Sequence, residues 1–353
     1  MTGNFVKPCI AFALSLALGV AGGQASAAEL RIGGVGGAAQ AAATEAMVKP
    51  YEAMSGAKII EDEYDQKLAE IRSQQEAKSL KWDIIMVGPS IGPLACDEGL
   101  LEDISGKDIV KQSDFTKPLI PCLVPMFSSS GVMVYNGAKL GDNGPKTWAD
   151  FWDVKKFPGK RGFYNAPNET IELALLADGV STADLTKVLT SPGGIDRAFK
   201  KLDELKPNIQ WWNSSSEALQ LLASGDIAMT YAWNGRVTKA NMDDKRDFRI
   251  VWDAGHLNGS EYYAVMKNTP NLDGAVGFLK FAAEAKQQAA FTNITPYAPL
   301  NNAAVPLLDP SLAEVLPSSH MNTAVDQDDP AYVSFWLDNM DNLNERFAAW
   351  QAQ

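Results

Sequence analysis

From residue 29 onward the chain alternates short apolar runs with longer stretches in which apolar residues recur every three or four positions. "ELRIGGVGG" (29–37) predicts a short strand running into a glycine loop, and "AAQAAATEAMVKPYEAMSG" (38–56) a helix stopped by Gly56. "AKIIEDEY" (57–64) predicts the next strand, "QKLAEIRSQQEAKSL" (66–80) a helix, and "WDIIMVG" (82–88) a fully buried strand. The alternation returns. "GKRGFYNA" (159–166) leads into the helical "ETIELALLADGV" (169–180), and the helical "EALQLLASG" (217–225) precedes the strand "DIAMTYAW" (226–233). The span 261–291 reads as strand, turn and one long helix, and 329–351 as an amphipathic helix. Strand and helix in strict alternation predict parallel sheets covered by helices. No repeat or long linker appears, and the length exceeds what one core usually serves, so two compact α/β lobes are expected.

The first residues change the picture of where this chain works. One lysine, Lys7, precedes an apolar stretch from about Cys9 to Val20, and "ASA" follows at 25–27. That is the layout of an export signal cleaved after Ala27, with an apolar segment too short to span a bilayer comfortably. No later stretch reads as membrane-spanning, so a soluble protein outside the cytoplasm is expected. The formal charge of −12 argues against a nucleic-acid partner and is compatible with a cationic ligand. Two cysteines follow the signal, Cys96 and Cys122. An even count in an exported chain predicts a disulfide, worth about 3 kcal/mol for a loop of this length; two buried thiols are the alternative. Two separated cysteines and two histidines make no metal-ligand cluster.

Open parallel sheets bind ligands beyond the carboxyl ends of their strands, so candidate residues are sought there. Gly33, Gly34, Gly36 and Gly37 let a backbone approach a ligand at a helix start, or simply make a tight turn. The phosphate-loop ending is missing, and the spacing is wrong for a dinucleotide fingerprint. Ser90 follows the buried strand and either donates into a cleft or caps a helix. Glu169 opens a helix, where a carboxylate either serves the helix dipole or pairs with an ammonium group. Trp233, Asn234 and Gly235 end a strand, with an indole placed to stack on a ligand or to close the core edge. Glu261 and Tyr262 stand at the entrance to a strand, and Tyr297 lies in a loop stiffened by prolines. Together these supply aromatic walls and two carboxylates, the equipment for an amine. No nucleophile elbow is present, and nothing beyond charge supports Glu169 and Glu261 as an acid/base pair, so no enzyme and no cofactor are expected.

The chain resembles the periplasmic solute-binding proteins of bacterial ABC importers, in the spermidine/putrescine-binding family. The likeness rests on the order of "WDIIMVGPS", "GVMVYN", "KTWADFWD", "LASGDIAMTYAWNG", "EYYAVMKNTPNLDGAVGFLKF" and "TPYAPLN", and covers nearly all the chain after the signal. "ACDEGLLEDI" with "PCLVP" and the loop "GGVGGA" resemble a branch with a disulfide and a glycine-rich first loop. The resemblance implies a two-lobed α/β fold of the type II binding-protein kind, closing on ligand without catalysis. It implies a periplasmic monomer serving a membrane permease. The boundaries expected are 28–133 with 264–312 for one lobe, and 134–263 with 313–353 for the other. It also implies roles for Trp233, Glu169, Glu261, Tyr297 and Ser90 as ligand contacts.

Departures from the family pattern bear on the ligand. Ala166 stands where a second acid is expected, Gly259 where an aromatic is expected, and the first loop has glycines in place of polyamine-clasping side chains. Fewer acids and less aromatic wall argue for a small or zwitterionic amine, its carboxylate at the glycine loop and its ammonium at Glu169 or Glu261. Two other readings keep some of these features: an anion or metal-ion binder of the same architecture, and a secreted hydrolase using Glu169 and Glu261.

Overall fold

The computed structural model describes residues 1–3 and 29–353, so the expected cleavage site lies outside the described residues. Among the described residues no helix is long and apolar enough to cross a membrane. The apolar runs form eleven strands: β1 (Glu29–Gly34), β2 (Lys58–Glu63), β3 (Ile84–Val87), β4 (Leu123–Asn136), β5 (Lys160–Tyr164), β6 (Ile209–Trp212), β7 (Ile227–Trp233), β8 (Phe248–Ile250), β9 (His256–Val265), β10 (Ala298–Pro299) and β11 (Ala324–Asp326). They pair in the order β2-β1-β3-β9-β4-β7-β5-β6, with β8 and β10 on β4 and β11 on β9. The expected parallel pairs are present at each end: β1 with β2 and β3, and β5 with β6 and β7. Between them run antiparallel strands, β9 against β3 and β4, and β4 against β7.

β4 is what joins the two halves. At 14 residues it spans roughly 45 Å. Its first part pairs with Glu261–Ala264 of β9, and its last part, Gly131–Tyr135, with Met229–Trp233 of β7. Each half has its own core. Leu30, Ile32, Met47, Ile84, Met86 and Phe278 fill one, and Trp148, Phe163, Leu173, Trp212 and Trp336 fill the other. The C-terminal helix Pro330–Gln351 enters the second core through Tyr332, Trp336, Met340, Leu343, Phe347 and Trp350, one apolar stripe at three- and four-residue spacing.

One expectation needs correction. The span 261–291 carries not one helix but two, Leu272–Ala282 and Ala285–Ile294, because Glu284 is extended between them. No glycine or proline marks that break in the sequence. Cys96 and Cys122 are bonded, with Cα atoms 6.0 Å apart, and tie the helix Ile91–Asp97 to the start of β4.

Candidate ligand-binding cleft

The ends of β1, β3, β5 and β7 and the middles of β4 and β9 surround one cavity of about 710 Å³. Seven of the sequence candidates line it: Gly36, Gly37, Ser90, Glu169, Trp233, Glu261 and Tyr297. Asn234 and Tyr262 are not in its wall. Asn234 is fully buried, accepts from the Ser130 N–H at 2.9 Å and donates to the Pro296 carbonyl at 2.8 Å. It fixes the wall without facing the ligand. Tyr262 points to the opposite side of β9 from Glu261, as strand alternation requires, and donates to Asp328 at 3.2 Å.

The aromatic wall is built in two pieces. Trp233 meets Tyr164 edge-on, with ring centroids 5.6 Å apart, and Trp212 at the same separation. Tyr297 stacks on Phe127 at 4.9 Å. Gly235 is explained by this second piece, because a Cβ there would lie 2.6 Å from the Tyr297 ring. The residue after the Trp-Asn pair is therefore glycine for close packing, not for a turn.

Two glycines of the first loop are conformationally required. Gly36 and Gly37 take φ of 65° and 58°, values that side-chain-bearing residues rarely adopt. A Cβ on Gly37 would also lie 2.0 Å from Nη1 of Arg236. Arg236, in the first turn of the helix Asn234–Asp244, is a cavity residue that the sequence reading missed. Its Nη2 donates to the carbonyls of Val35 and Gly36, at 3.3 and 3.2 Å. The loop thus presents a guanidinium, not just helix N–H groups, to anything bound there.

The two acids differ in their surroundings. Glu169 lies in the left-handed region at φ 71°, a strained conformation for a non-glycine residue. Its carboxyl is buried, with Oε2 lacking a hydrogen-bond partner. Burial pushes this carboxyl up to about 8, the nearby charges of Glu172 and Glu261 add to the rise, and the adjacent Tyr231 hydroxyl opposes it. Glu261, in the middle of β9, receives Nε2 of Gln66 at 3.3 Å and the Ser129 hydroxyl at 3.4 Å. Burial raises it to about 7 against those donors, Asp328 adds to the rise, and Arg236 lowers it. Ser90 precedes the helix Ile91–Asp97 without capping it, so its buried hydroxyl is not spent on that helix. Gln66, Ser129, Tyr164 and Gln327 add to the polar wall, and Lys67 and Arg72 also line it. Among the described residues no three His, Cys, Asp or Glu side chains gather as metal ligands.

Two α/β halves joined by long crossing strands around a cavity with acids, a guanidinium and aromatic faces define a solute-binding protein. The profile of the bacterial extracellular solute-binding proteins matches residues 46–315, and the chain belongs to that family. It is 38% identical over 338 residues to the gamma-aminobutyric acid-binding protein of Pseudomonas aeruginosa, covering 94% of each chain. It is 32% identical to the binding protein MotA of A. tumefaciens B6, solved with glucopine, at a TM-score of 0.85 over 92% of this chain and 100% of that one. The spermidine/putrescine-binding periplasmic protein of Escherichia coli is 21% identical over 276 residues, covering 76% of this chain and 77% of its own. The expected two-lobed fold is borne out, and this is the binding component of an ABC transporter system, not an enzyme. The hydrolase reading falls with that. Its likeness to periplasmic binding proteins supports the periplasm as its place.

Proposed function

We propose that the protein captures a small zwitterionic amino acid with its amine and acid at opposite ends, of the γ-aminobutyric acid kind, and delivers it to an inner-membrane permease. The observation that carries this is the placement of Arg236 in the same cavity as Glu169 and Glu261. A guanidinium held at the glycine loop receives a carboxylate, and the two acids receive an ammonium group. Trp233 and Tyr297 cover the methylenes between them, while Ser90 orients the ligand. A long polyamine has no use for the guanidinium and would be repelled by it. The 38% identical relative, named for γ-aminobutyric acid, supports the same class.

The cavity volume favours a second, larger member of that class. About 710 Å³ exceeds what a four-carbon amino acid fills, so an amino acid carrying a polar substituent, as in an opine, is the second reading. The relative solved with glucopine lends it support. In both readings the lobes comprise 28–133 with 264–312 and 134–263 with 313–353, β4 and β9 carry the hinge, the leader is removed after Ala27, and the protein acts as a monomer. Closure strengthens the charged contacts by excluding water, and the ligand drives it by preferring the closed form.

Thermal-shift screening tests the proposal, since a ligand that binds only the native state raises the melting temperature. γ-Aminobutyric acid, its longer and shorter homologues, opines and putrescine are compared. A rise with amino acids and none with putrescine is expected; the reverse order would defeat the zwitterion reading.

A further inference from the structure

Glu172 is one turn beyond Glu169 on the same helix, Pro167–Ala177, and stands outside the wall of the cleft. It is fully buried, which is unusual for a carboxyl without an ion-pair partner. Its Oε1 accepts the Tyr332 hydroxyl at 2.6 Å and the Trp336 Nε1–H at 2.9 Å, both from the C-terminal helix. Gln327, in the cavity wall, donates to the Tyr332 oxygen at 3.1 Å, which leaves the tyrosine proton directed at Glu172. Glu172 thus receives two directed donors, the pattern that favours a charged carboxylate. Glu169 has only the adjacent Tyr231 hydroxyl acting on it, and the Oε2 atoms of both carboxyls are buried without a hydrogen-bond partner.

Two buried carboxyls this close do not both ionise in a poorly solvated site. The other groups facing the pair do not neutralise it. Tyr164 comes from β5, Tyr231 from β7 and Glu261 from β9, and Asp65, from the loop after β2, acts on Tyr164. The helices Trp148–Trp152, Leu185–Leu189 and Gly194–Leu205 present apolar residues, among them Trp148, Phe151, Leu185, Ala198 and Leu202. Lys67, Arg72 and Arg236 are the cations of the cavity wall, and Arg236 lies on the side of Glu261 and Tyr297.

We propose that Glu172 is a positioning residue for ligand capture: it keeps the single charge of the pair, holds Glu169 as the neutral acid in the empty cleft, and makes an arriving ammonium group displace the Glu169 proton to solvent. The ammonium then donates to the new Glu169 carboxylate, and one proton leaves per ligand bound. The empty site is thereby kept from holding a full negative charge that a bare inorganic cation would satisfy. Burial raises Glu172 to about 7 and Glu169 to about 8, the order this division of charge needs.

The inference rests on the amine-binding reading, so its test has one arm without ligand. In infrared difference spectra of the empty protein at neutral pH, the carbonyl band of protonated carboxylic acid is expected to lose intensity in both Glu169→Gln and Glu172→Gln, with Glu261 contributing what remains. The second loss is the informative one, since removing the neighbouring charge takes away part of what keeps Glu169 neutral, burial being the larger part. Tyr332→Phe, which removes one donor from Glu172 and keeps its packing, is expected to weaken the same band. In the second arm γ-aminobutyric acid is titrated calorimetrically in two buffers of unlike ionisation enthalpy. Wild type should release about one proton near neutral pH, and Glu172→Gln clearly less. A band undiminished by Glu172→Gln, or equal proton release by the two proteins, overturns the inference. Absence of any heat with γ-aminobutyric acid counts against that ligand alone and leaves the infrared arm to decide.

Discussion

Nη2 of Arg236 donates to the Gly36 carbonyl at 3.2 Å, joining the helix after β7 to the loop after β1. Both hydrogen bonds of this guanidinium go to main-chain carbonyls and not to a carboxylate. A permanent cation held in this way is prepared for an anion that comes from outside. Replacing it by methionine keeps most of the packing and removes the charge. Affinity for γ-aminobutyric acid is expected to fall about 10- to 100-fold, the range for hydrogen bonds to charged groups. Lysine at 236 should restore it only in part, because the fork geometry is lost. Calorimetry on both variants checks this, alongside a melting curve that should move little.

The aromatic faces make a separate contribution. Trp233→Ala removes the ring that Tyr164 and Trp212 hold edge-on. Loss of its contact with ligand methylenes should weaken binding roughly tenfold or more, given about 1 kcal/mol for aromatic geometry beyond area burial. Asn234→Ala should instead lower thermal stability, since it cuts the bonds to Ser130 and Pro296. A melting temperature unchanged by Asn234→Ala would show that the wall does not depend on it.

Stability of the empty protein should fall as pH rises from 6.5 to 8.5. Glu169, Glu172 and Glu261 are raised to about 8, 7 and 7, so the folded state holds protons that the unfolded chain has already released. Their contribution is complete below the ordinary carboxyl range and is lost as pH passes through the folded values. His256 acts the other way. Burial lowers it, so its contribution is lost as pH falls below the ordinary histidine value, outside this window. Calorimetric melting across the window should show a decline of a few degrees, at roughly 2 °C per kcal/mol. The Glu169→Gln, Glu261→Gln double variant should lessen it, leaving the part due to Glu172.

The Cys96–Cys122 bond closes a loop with a sequence separation of 26. Reduction, or Ser at both positions, is expected to destabilise the protein by about 3 kcal/mol, mainly by freeing the unfolded chain. Ligand affinity should be unchanged, because neither cysteine lines the cleft. Chemical denaturation with and without reductant measures the first, and calorimetry the second.

Much of this cleft is legible in the sequence because parallel strands deliver their ends to one place. Ser90, Glu169 and Trp233 follow buried strands, and that position alone singles them out. The same reasoning stumbles within a strand. Glu261 and Tyr262 are adjacent, so only one can face the cleft, and periodicity does not say which. Asn234 is a polar residue at a strand end whose partners, Ser130 and Pro296, lie far away in sequence. Arg236 was missed for a plainer reason. An arginine in the first turn of a polar helix reads as a solvated side chain until the glycine loop is seen beside it. The gap between the helices at Glu284 likewise has no local cause in the residues around it.

The proposed function requires above all a ligand charged at both ends. Calorimetric titration of wild type with γ-aminobutyric acid, butylamine and butyrate compares the zwitterion with each half of itself. The zwitterion should bind at least about tenfold more tightly than either, with Arg236→Met removing that advantage over butylamine. Butylamine binding as well as the amino acid, with indifference to Arg236→Met, would contradict it.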